Sequence, residues 1–285
     1  MIYISLTTVP ERLSSWMYFQ QNLDSLLAQD TDIPYKIILN IPYFNKKSGL
    51  DYTLPEGLLE YKADSRLVIN RSEDWGPITK LLGALEYIKE PDALLIVCDD
   101  DHVYDPRMIK YHLLKQEKYN NEKIIAFRAD MGVEKVEVED EKGRGYYFES
   151  AGLPYPCEVD TQAKLPGHWH SVSYRRYMLD DDFLFSQSFL DLAPSDDHLM
   201  SYYALKKRLD IIVPRFDEET DWSPINQYRP GYCFPIVRSL PVVETSGFIR
   251  FRKDAKHHNG PLSEELVKEL SFNGVRYYLN PASNP

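Results

Sequence analysis

Cysteine is scarce. Cys98, Cys157 and Cys233 stand far apart in 285 residues and form no C-x-x-C pair. That excludes a disulfide framework and a structural zinc site, and it fits a reducing compartment. No apolar run approaches the roughly 20 residues that a membrane-spanning helix needs. The opening "MIYISLTT" reads at once as a strand, with no basic segment leading into an apolar stretch, so no signal peptide is expected. Basic residues are outnumbered, 33 against 44 acidic, for a net charge of −11. This balance disfavours a nucleic-acid backbone as main partner, because Lys and Arg dominate phosphate binding. It leaves room for a small phosphorylated ligand at a local site. There is no internal repeat and no low-complexity tract. The expectation is a soluble, cytoplasmic protein with no transmembrane segment.

Hydrophobic residues make up 43% of the chain, enough for a full core. Strand patterns at 2–6, 35–41, 66–70, 93–98 and 123–127 alternate with helical spacing over 11–29, from Pro77 to Ile88, and after Pro106. The stretch 43–65 reads as an irregular loop. This alternation predicts an α/β fold with a mostly parallel central sheet flanked by helices. Ligands then bind beyond the carboxyl ends of the strands. After residue 128 the pattern changes to a polar hairpin turning at 140–143, a strand over 170–176, a helix over 195–209 and a short strand over 210–213. The expected layout is a catalytic domain over 1–215, with a nucleotide-binding half to 105 and an acceptor half from 106, followed by a C-terminal extension over 216–285. One helix is expected near 263–271.

The stretch "LLIVCDDDHVYD" (94–105) drives a buried strand into three aspartates. Packed carboxylates repel, and a hard divalent cation with a preference for oxygen resolves the conflict. A solvated acidic turn, or a cap for the helix after Pro106, is the alternative. In "DWGPITK" (74–80), Gly76 and Pro77 open a helix and Lys80 falls in its first turn, where a cation opposes the helix dipole. An anion bound there would repair this; a Lys extended into water is the alternative. In "PSDDHLMSYYAL" (194–205), Asp196 and Asp197 begin a helix, a favourable place for carboxylates with or without function. Ser195 or Asp196 is available as its N-cap.

Taken together, these segments resemble GT-A-fold nucleotide-sugar glycosyltransferases, of the kind found in bacteria and large DNA viruses. Asp99 and Asp101 match the two acids of the D-x-D motif. "ISLTTVPERL" (4–13) resembles the first strand and loop, "GHWHSVSYRR" (167–176) the Gly- and aromatic-containing loop before a strand, and "PSDDHLMSYYAL" the x-E-D helix. The resemblance spans roughly residues 1–215. It implies a metal-dependent transfer from a nucleotide sugar, UDP-linked, to a glycan hydroxyl, with Mn²⁺ or Mg²⁺ as cofactor. It assigns Thr7, Thr8, Arg12, Asp74, Lys80, Asp99 and Asp100 to the donor, and Asp99, Asp101 and one of His257 and His258 to the metal. Asp197 becomes the general base of an inverting displacement, with Asp196 beside it. Two departures stand out: Asp196 replaces the Glu of x-E-D, and His168 and His170 replace small residues in the loop.

Each assignment has a rival. Exposed salt-bridging Arg is the alternative for Arg12, a solvated loop for His257 and His258, and local hydrogen bonding for His168 and His170. At the level of function, the strand followed by D-x-D-x-V also matches haloacid-dehalogenase-type phosphatases, with Asp99 as nucleophile. That family opens its fold with the motif, whereas here the motif ends the fourth strand. A non-catalytic sugar-binding module is the third reading.

Overall fold

A computed structural model describes residues 1–140, 143–153, 157, 159–193, 195–215, 233–235 and 249–251. The chain begins with β1 (Ile2–Thr7), α1 (Pro10–Ser14), α2 (Trp16–Leu27) and β2 (Tyr35–Pro42). A small hairpin, β3 (Phe44–Asn45) and β4 (Leu50–Asp51), and α3 (Glu56–Tyr61) lead to β5 (Leu67–Ser72). A 3-10 turn, Gly76–Ile78, runs into α4 (Thr79–Tyr87), followed by β6 (Leu94–Val97), β7 (His102–Tyr104), α5 (Met108–Lys118) and β8 (Ile124–Ala126). Then come the hairpin β9 (Ala129–Asp140) and β10 (Gly143–Gly152), β11 (Thr161–Ala163), β12 (Leu165–Pro166), a 3-10 turn His168–His170, and β13 (Val172–Arg175). The short helices α6 (Asp181–Leu184) and α7 (Gln187–Leu190) precede α8 (Asp196–Lys207) and β14 (Ile211–Val213). Two later strands, β15 (Cys233–Pro235) and β16 (Ile249–Phe251), pair with β7 and β10 respectively.

Eight strands form the central sheet in the order β11-β14-β8-β13-β6-β1-β2-β5. β5, β2, β1 and β6 are mutually parallel, as are β8 and β14. β13 runs against both its neighbours, β6 and β8, and β11 runs against β14. The fold is therefore α/β with a mostly parallel, Rossmann-like central sheet. The chain builds outward from β1 through β2 to β5, then returns to lay β6 on the other side of β1. That reversal of strand order opens a crevice at the carboxyl ends of β1 and β6, where ligands bind in such sheets.

The strands are apolar on both faces because both faces are covered. Ile4, Leu6, Ile37, Leu39, Leu94 and Ile96 pack with Leu13, Phe19, Leu23 and Met108 on one side. Tyr3, Ile38, Leu95 and Val97 pack with Leu81, Leu85, Met200 and Tyr203 on the other. This alternation along each strand is the pleat of period two.

Three local expectations are corrected. The helix expected over 11–29 is two helices broken at Ser15, whose ψ of 51° leaves the helical region; the apolar spacing runs through the break and hides it. The stretch 43–65 is not a structureless loop. Asn45 accepts backbone N–H groups from Lys47 and Ser48 and closes the β3–β4 hairpin, and α3 follows. The helix expected from Pro77 starts as a 3-10 turn, entered through Gly76 at φ +70°, and becomes α-helical only at Thr79. The helix expected near 263–271 lies outside the described residues.

A buried polar network seats α4 on the sheet. Asn40 of β2 donates to Ser5 Oγ at 2.8 Å and to the Leu6 carbonyl at 3.0 Å. Ser5 donates to the Lys80 carbonyl at 2.5 Å, and Asn70 of β5 donates to both Asn40 and the Gly83 carbonyl. A Cβ at Gly83 would collide with the Asn40 side chain. Gly83→Ala is expected to cost about 1–3 kcal/mol of stability, the range for overpacking a filled interior, measured by urea denaturation. A variant as stable as the parent would show that α4 is not seated by this contact.

Candidate functional site

β6 delivers the aspartates to the crevice, and three neighbours fix the turn that follows it. Asn22 of α2 donates to the carbonyls of Asp99 and His102, at 3.0 and 2.7 Å. The Tyr104 hydroxyl accepts from the Asp99 backbone N–H at 2.9 Å and reaches the Trp169 carbonyl at 3.1 Å. That second contact ties the aspartate turn to the 168–170 turn.

Arg12, on the short α1 just beyond β1, forks across two of the acids. Its Nη1 pairs with Asp100 Oδ1, and its Nη2 lies 2.9 Å from Asp101 Oδ2. The other oxygen of Asp101 takes His102 Nδ1 at 2.6 Å. Burial works against the Asp101 charge, but His102 and Arg12 outweigh it and lower its pKa. Asp100 is raised, because burial outweighs Arg12 there and the neighbouring carboxylates add to it. Thr8 lies against Asp100 without a sound hydrogen bond, leaving Asp100 Oδ2 buried and without a hydrogen-bond partner.

Lys80 is 5% exposed and spans the crevice. Its Nζ lies 2.5 Å from Asp99 Oδ1 and 2.7 Å from Asp196 Oδ2. Burial would neutralise this ammonium, but Asp196, Asp99 and Asp197 hold its pKa well above the usual lysine value. Lys80 thus joins the acids at the end of β6 to those at the start of α8. Ser195 sits at the N-cap position of α8, but its side chain makes no capping hydrogen bond.

His168 is the third buried cation. Its Nδ1 lies 2.6 Å from Asp197 Oδ1 and 2.9 Å from Asp196 Oδ2, and its Nε2 lies 2.8 Å from Tyr174 Oη. Burial opposes the charge, yet the two aspartates raise His168 to about 9. The two acids are driven apart in turn. Asp196 overcomes its own burial through Lys80 and His168 and falls far below the carboxylate range. Asp197 is raised by burial and by the Asp196 charge. Its side chain is 28% exposed, against 10% for Asp196.

The remaining expected residues fall as follows. Thr7 gives its hydroxyl to the Asn40 carbonyl at 2.8 Å. Asp74 accepts from the backbone N–H groups of Gly76 and Lys46, both at 2.8 Å, and so holds the turn before α4. His257 and His258 lie outside the described residues. His168, weighed for local hydrogen bonding, is buried and makes such bonds, to Asp197 and Tyr174. The roles of Asn22, Tyr104 and Tyr174 carried no signal in the sequence, because their partners are set by the packed chain.

Two places could take a cation. His168, Asp196 and Asp197 offer ligand atoms within 4.8 Å of one another, close enough to share one ion. One imidazole nitrogen and two carboxylates suit a first-row divalent ion. Here, however, Nδ1 meets both carboxylates at hydrogen-bond distance, and Lys80 already sits on Asp196. A proton fits this group better than a metal. The other is the Asp99–Asp101 turn, which holds one buried Asp100 oxygen without a hydrogen-bond partner; a cation there would have to displace Arg12 or His102 from Asp101 and Lys80 from Asp99. Across the crevice the carboxylates of Asp99, Asp100, Asp101, Asp196 and Asp197 lie against Arg12, Lys80, His102 and His168.

No protein-family model and no curated protein matches this sequence. Some solved structures are similar in part. TarS of S. aureus is similar at 14% identity and a TM-score of 0.45, over 77% of this chain and 61% of that one. The mannosyltransferase PcManGT of Pyrobaculum calidifontis, solved with GDP-Man and Mn²⁺, is similar at 13% identity and a TM-score of 0.46, over 75% of this chain and 54% of that one. The 2-C-methyl-D-erythritol 4-phosphate cytidylyltransferase of Francisella tularensis is similar at 14% and 0.46, over 74% and 88%. The chain therefore spans less than two thirds of the first two. Among the described residues no helix is long and apolar enough to cross a membrane.

The buried charges make two predictions. Lys80→Met leaves Asp99 and Asp196 without their counter-ion and is expected to destabilise by about 3–5 kcal/mol at pH 7. The loss should shrink as pH falls, because in the variant the buried Asp196, deprived of Lys80, can relieve its unpaired charge by taking a proton, whereas in the parent Asp196 stays ionised far below the carboxylate range. Urea denaturation at pH 7 and pH 4 checks this; equal losses at both would remove the ion pair as cause. His168 has the opposite sign. Its folded pKa of about 9 lies above the unfolded value, so its stabilisation is complete below about pH 6.5 and lost as pH rises through about 9. The melting temperature should fall across that window, and His168→Asn should abolish that part of the fall.

Proposed function

We propose that this chain is a glycosyltransferase that moves a sugar from a UDP-linked donor to a hydroxyl of a glycan, with inversion at the anomeric carbon. One observation carries the reading. Two acidic groups far apart in sequence meet in the crevice at the carboxyl ends of β1 and β6, joined through the buried Lys80.

The donor lies along the β1 side, with Thr7, Thr8 and Arg12 beneath the nucleotide and Asp99 and Asp100 beside the ribose and diphosphate. Asp74 serves that side indirectly, by holding the turn that presents α4. Asp99 and Asp101, with one of His257 and His258, would hold Mn²⁺ or Mg²⁺, and such an ion would supply Lewis-acid stabilisation of negative charge on the diphosphate. Arg12 and Lys80 add fixed positive charge at the same end of the crevice, where little water competes. Asp197 takes the proton of the acceptor hydroxyl as its oxygen attacks. The environments select Asp197 over Asp196: a raised carboxylate is the better base near neutral pH, while Asp196 is held by two cations and barely basic.

UDP is expected to raise the melting temperature, and Mn²⁺ or Mg²⁺ to enlarge the rise, since a ligand that binds only the folded state stabilises it by mass action. An equal rise in excess chelator would remove the ion from the scheme. Asp101→Asn should keep the fold and lose the metal-dependent part. Asp197→Asn should melt near wild type and bind UDP normally, with transfer lowered by about 10²–10⁴-fold. Substantial transfer by that variant would sink the base assignment. Release of phosphate from a generic phosphate ester, without any effect of UDP, would favour a phosphatase instead. UDP binding with no turnover of any donor would favour a binding module.

A further inference from the structure

His168 stands behind the proposed base, at a position that departs from the pattern the sequence resembles. Its ring is fully engaged. On one side Nδ1 meets Asp197 Oδ1 at 2.6 Å and Asp196 Oδ2 at 2.9 Å; on the other Nε2 meets Tyr174 Oη at 2.8 Å. The rings of His168 and Tyr174 stack with an interplanar angle of 25°. The His168 backbone N–H also points at Asp197 Oδ1, at 3.2 Å. Asp197 Oδ1 therefore receives two donors from one residue. Two fixed donors on one oxygen set the rotamer of a carboxylate and leave its second oxygen to do chemistry.

We propose that His168 is a positioning residue for sugar transfer: pinned from behind by Tyr174, it clamps Oδ1 of Asp197 so that Oδ2 takes the acceptor's proton. The proposal rests on the transferase reading above. In the step it serves, the acceptor oxygen forms its bond to the anomeric carbon. The bond from that carbon to the diphosphate oxygen breaks, and its electron pair leaves on the diphosphate. The acceptor's proton ends on Asp197. His168 neither touches substrate nor gains or loses a proton. The charged and titratable groups facing it are Asp196 and Asp197 from α8 and Tyr174 from β13, with Lys80 of α4 reaching it through Asp196.

The Ser171 backbone supports the same role. It follows the His168–His170 turn at φ +80°, a conformation that non-glycine residues rarely adopt. His112 of α5 meets the Ser171 hydroxyl at 2.8 Å, and both residues are completely buried. Strained backbone persists where the surroundings over-determine it. Here α5 and β13 fix the turn, and the turn aims His168.

The test compares His168→Leu, which removes the side-chain donor, with His168→Asn, whose amide can replace Nδ1–H. The assay is UDP release from UDP-glucose, UDP-galactose and UDP-N-acetylglucosamine, with water or methyl glycosides as acceptor. His168→Leu should lower kcat by about a hundredfold, the effect of a misplaced reacting group, with little change in the KM for the donor. His168→Asn should recover most of kcat. Because charged His168 lowers the pKa of Asp197, the acidic limb of kcat/KM should move to higher pH in both variants, a change that a merely structural role would not produce. Unchanged kcat and an unmoved limb in His168→Leu would overturn the assignment. Parallel loss of donor binding and melting temperature in both variants would overturn it too. A wild type that turns over none of the three sugars would overturn the transferase reading itself, and this assignment with it. Proton NMR of the His168 ring reads the contact without turnover or a folded Leu variant. Its titration should move to lower pH in Asp197→Asn, and an unchanged midpoint would mean that Asp197 is not clamped.

Discussion

One ammonium organises the crevice. Lys80 is buried between Asp99 and Asp196, and an ammonium taken from water at that depth must recover several kcal/mol of lost hydration. Two carboxylates at 2.5 and 2.7 Å offset that cost. They also answer the local conflict of a cation in the first turn of a helix. The position of Lys80 depends on α4, and that of α4 on the polar network through Ser5, Asn40, Asn70 and Gly83. A shift in that network would separate the acids of β6 from those of α8. The polar interior of β1 and β2 is thus part of the site, because it seats the helix that carries Lys80.

Around this centre, like residues are made unlike by their neighbours. Asp196 and Asp197 are consecutive, yet one is held ionised by two cations and the other is raised by burial and by its partner's charge. Asp100 and Asp101 divide in the same way: Arg12 touches both, but only Asp101 also has His102. Titratable groups driven apart by their surroundings are a common arrangement where proton transfer or ion binding occurs. Structural ion pairs alone would need no such asymmetry. A symmetric pair of bridges would satisfy the same charges.

Much of this was legible in the sequence. The parallel strands announced themselves as short continuous apolar runs, and "LLIVCDDDHV" located the crevice because a strand buried on both faces must end where the charges begin. "DWGPITK" and "PSDDHL" placed Lys80 and the second acid pair at helix starts. Other features escaped for physical reasons. Apolar spacing carries no record of a ψ change at one residue, so the break at Ser15 was invisible. Two-residue strands such as β3 and β4 have no period to detect. The engagement of Lys80 with protein acids could not be foreseen from local sequence, since its partners come from two distant segments. His168 was marked only as a departure from pattern. Burial, which decides whether a histidine meets ligand or carboxylate, is a property of the packed chain.

The direction of β13 explains why His168 reaches the site at all. A strand running against its parallel neighbours begins where they end. Val172, the first residue of β13, pairs with Val97, the last residue of β6. The turn at His168–His170 is therefore laid beside Asp99 by sheet register alone, without a long loop. Tyr104 fastens the two turns together through the Asp99 N–H and the Trp169 carbonyl. One reversed strand thus converts the open edge of a parallel sheet into a crevice with two walls. One wall carries Arg12 and the aspartate turn; the other carries His168 and, through it, Asp197. Because the second wall is a short turn anchored at Ser171 and Tyr104, its side chains can change with little cost to the sheet. His168 in that turn sets the surroundings of Asp197, while the strands that form the first wall keep their own register.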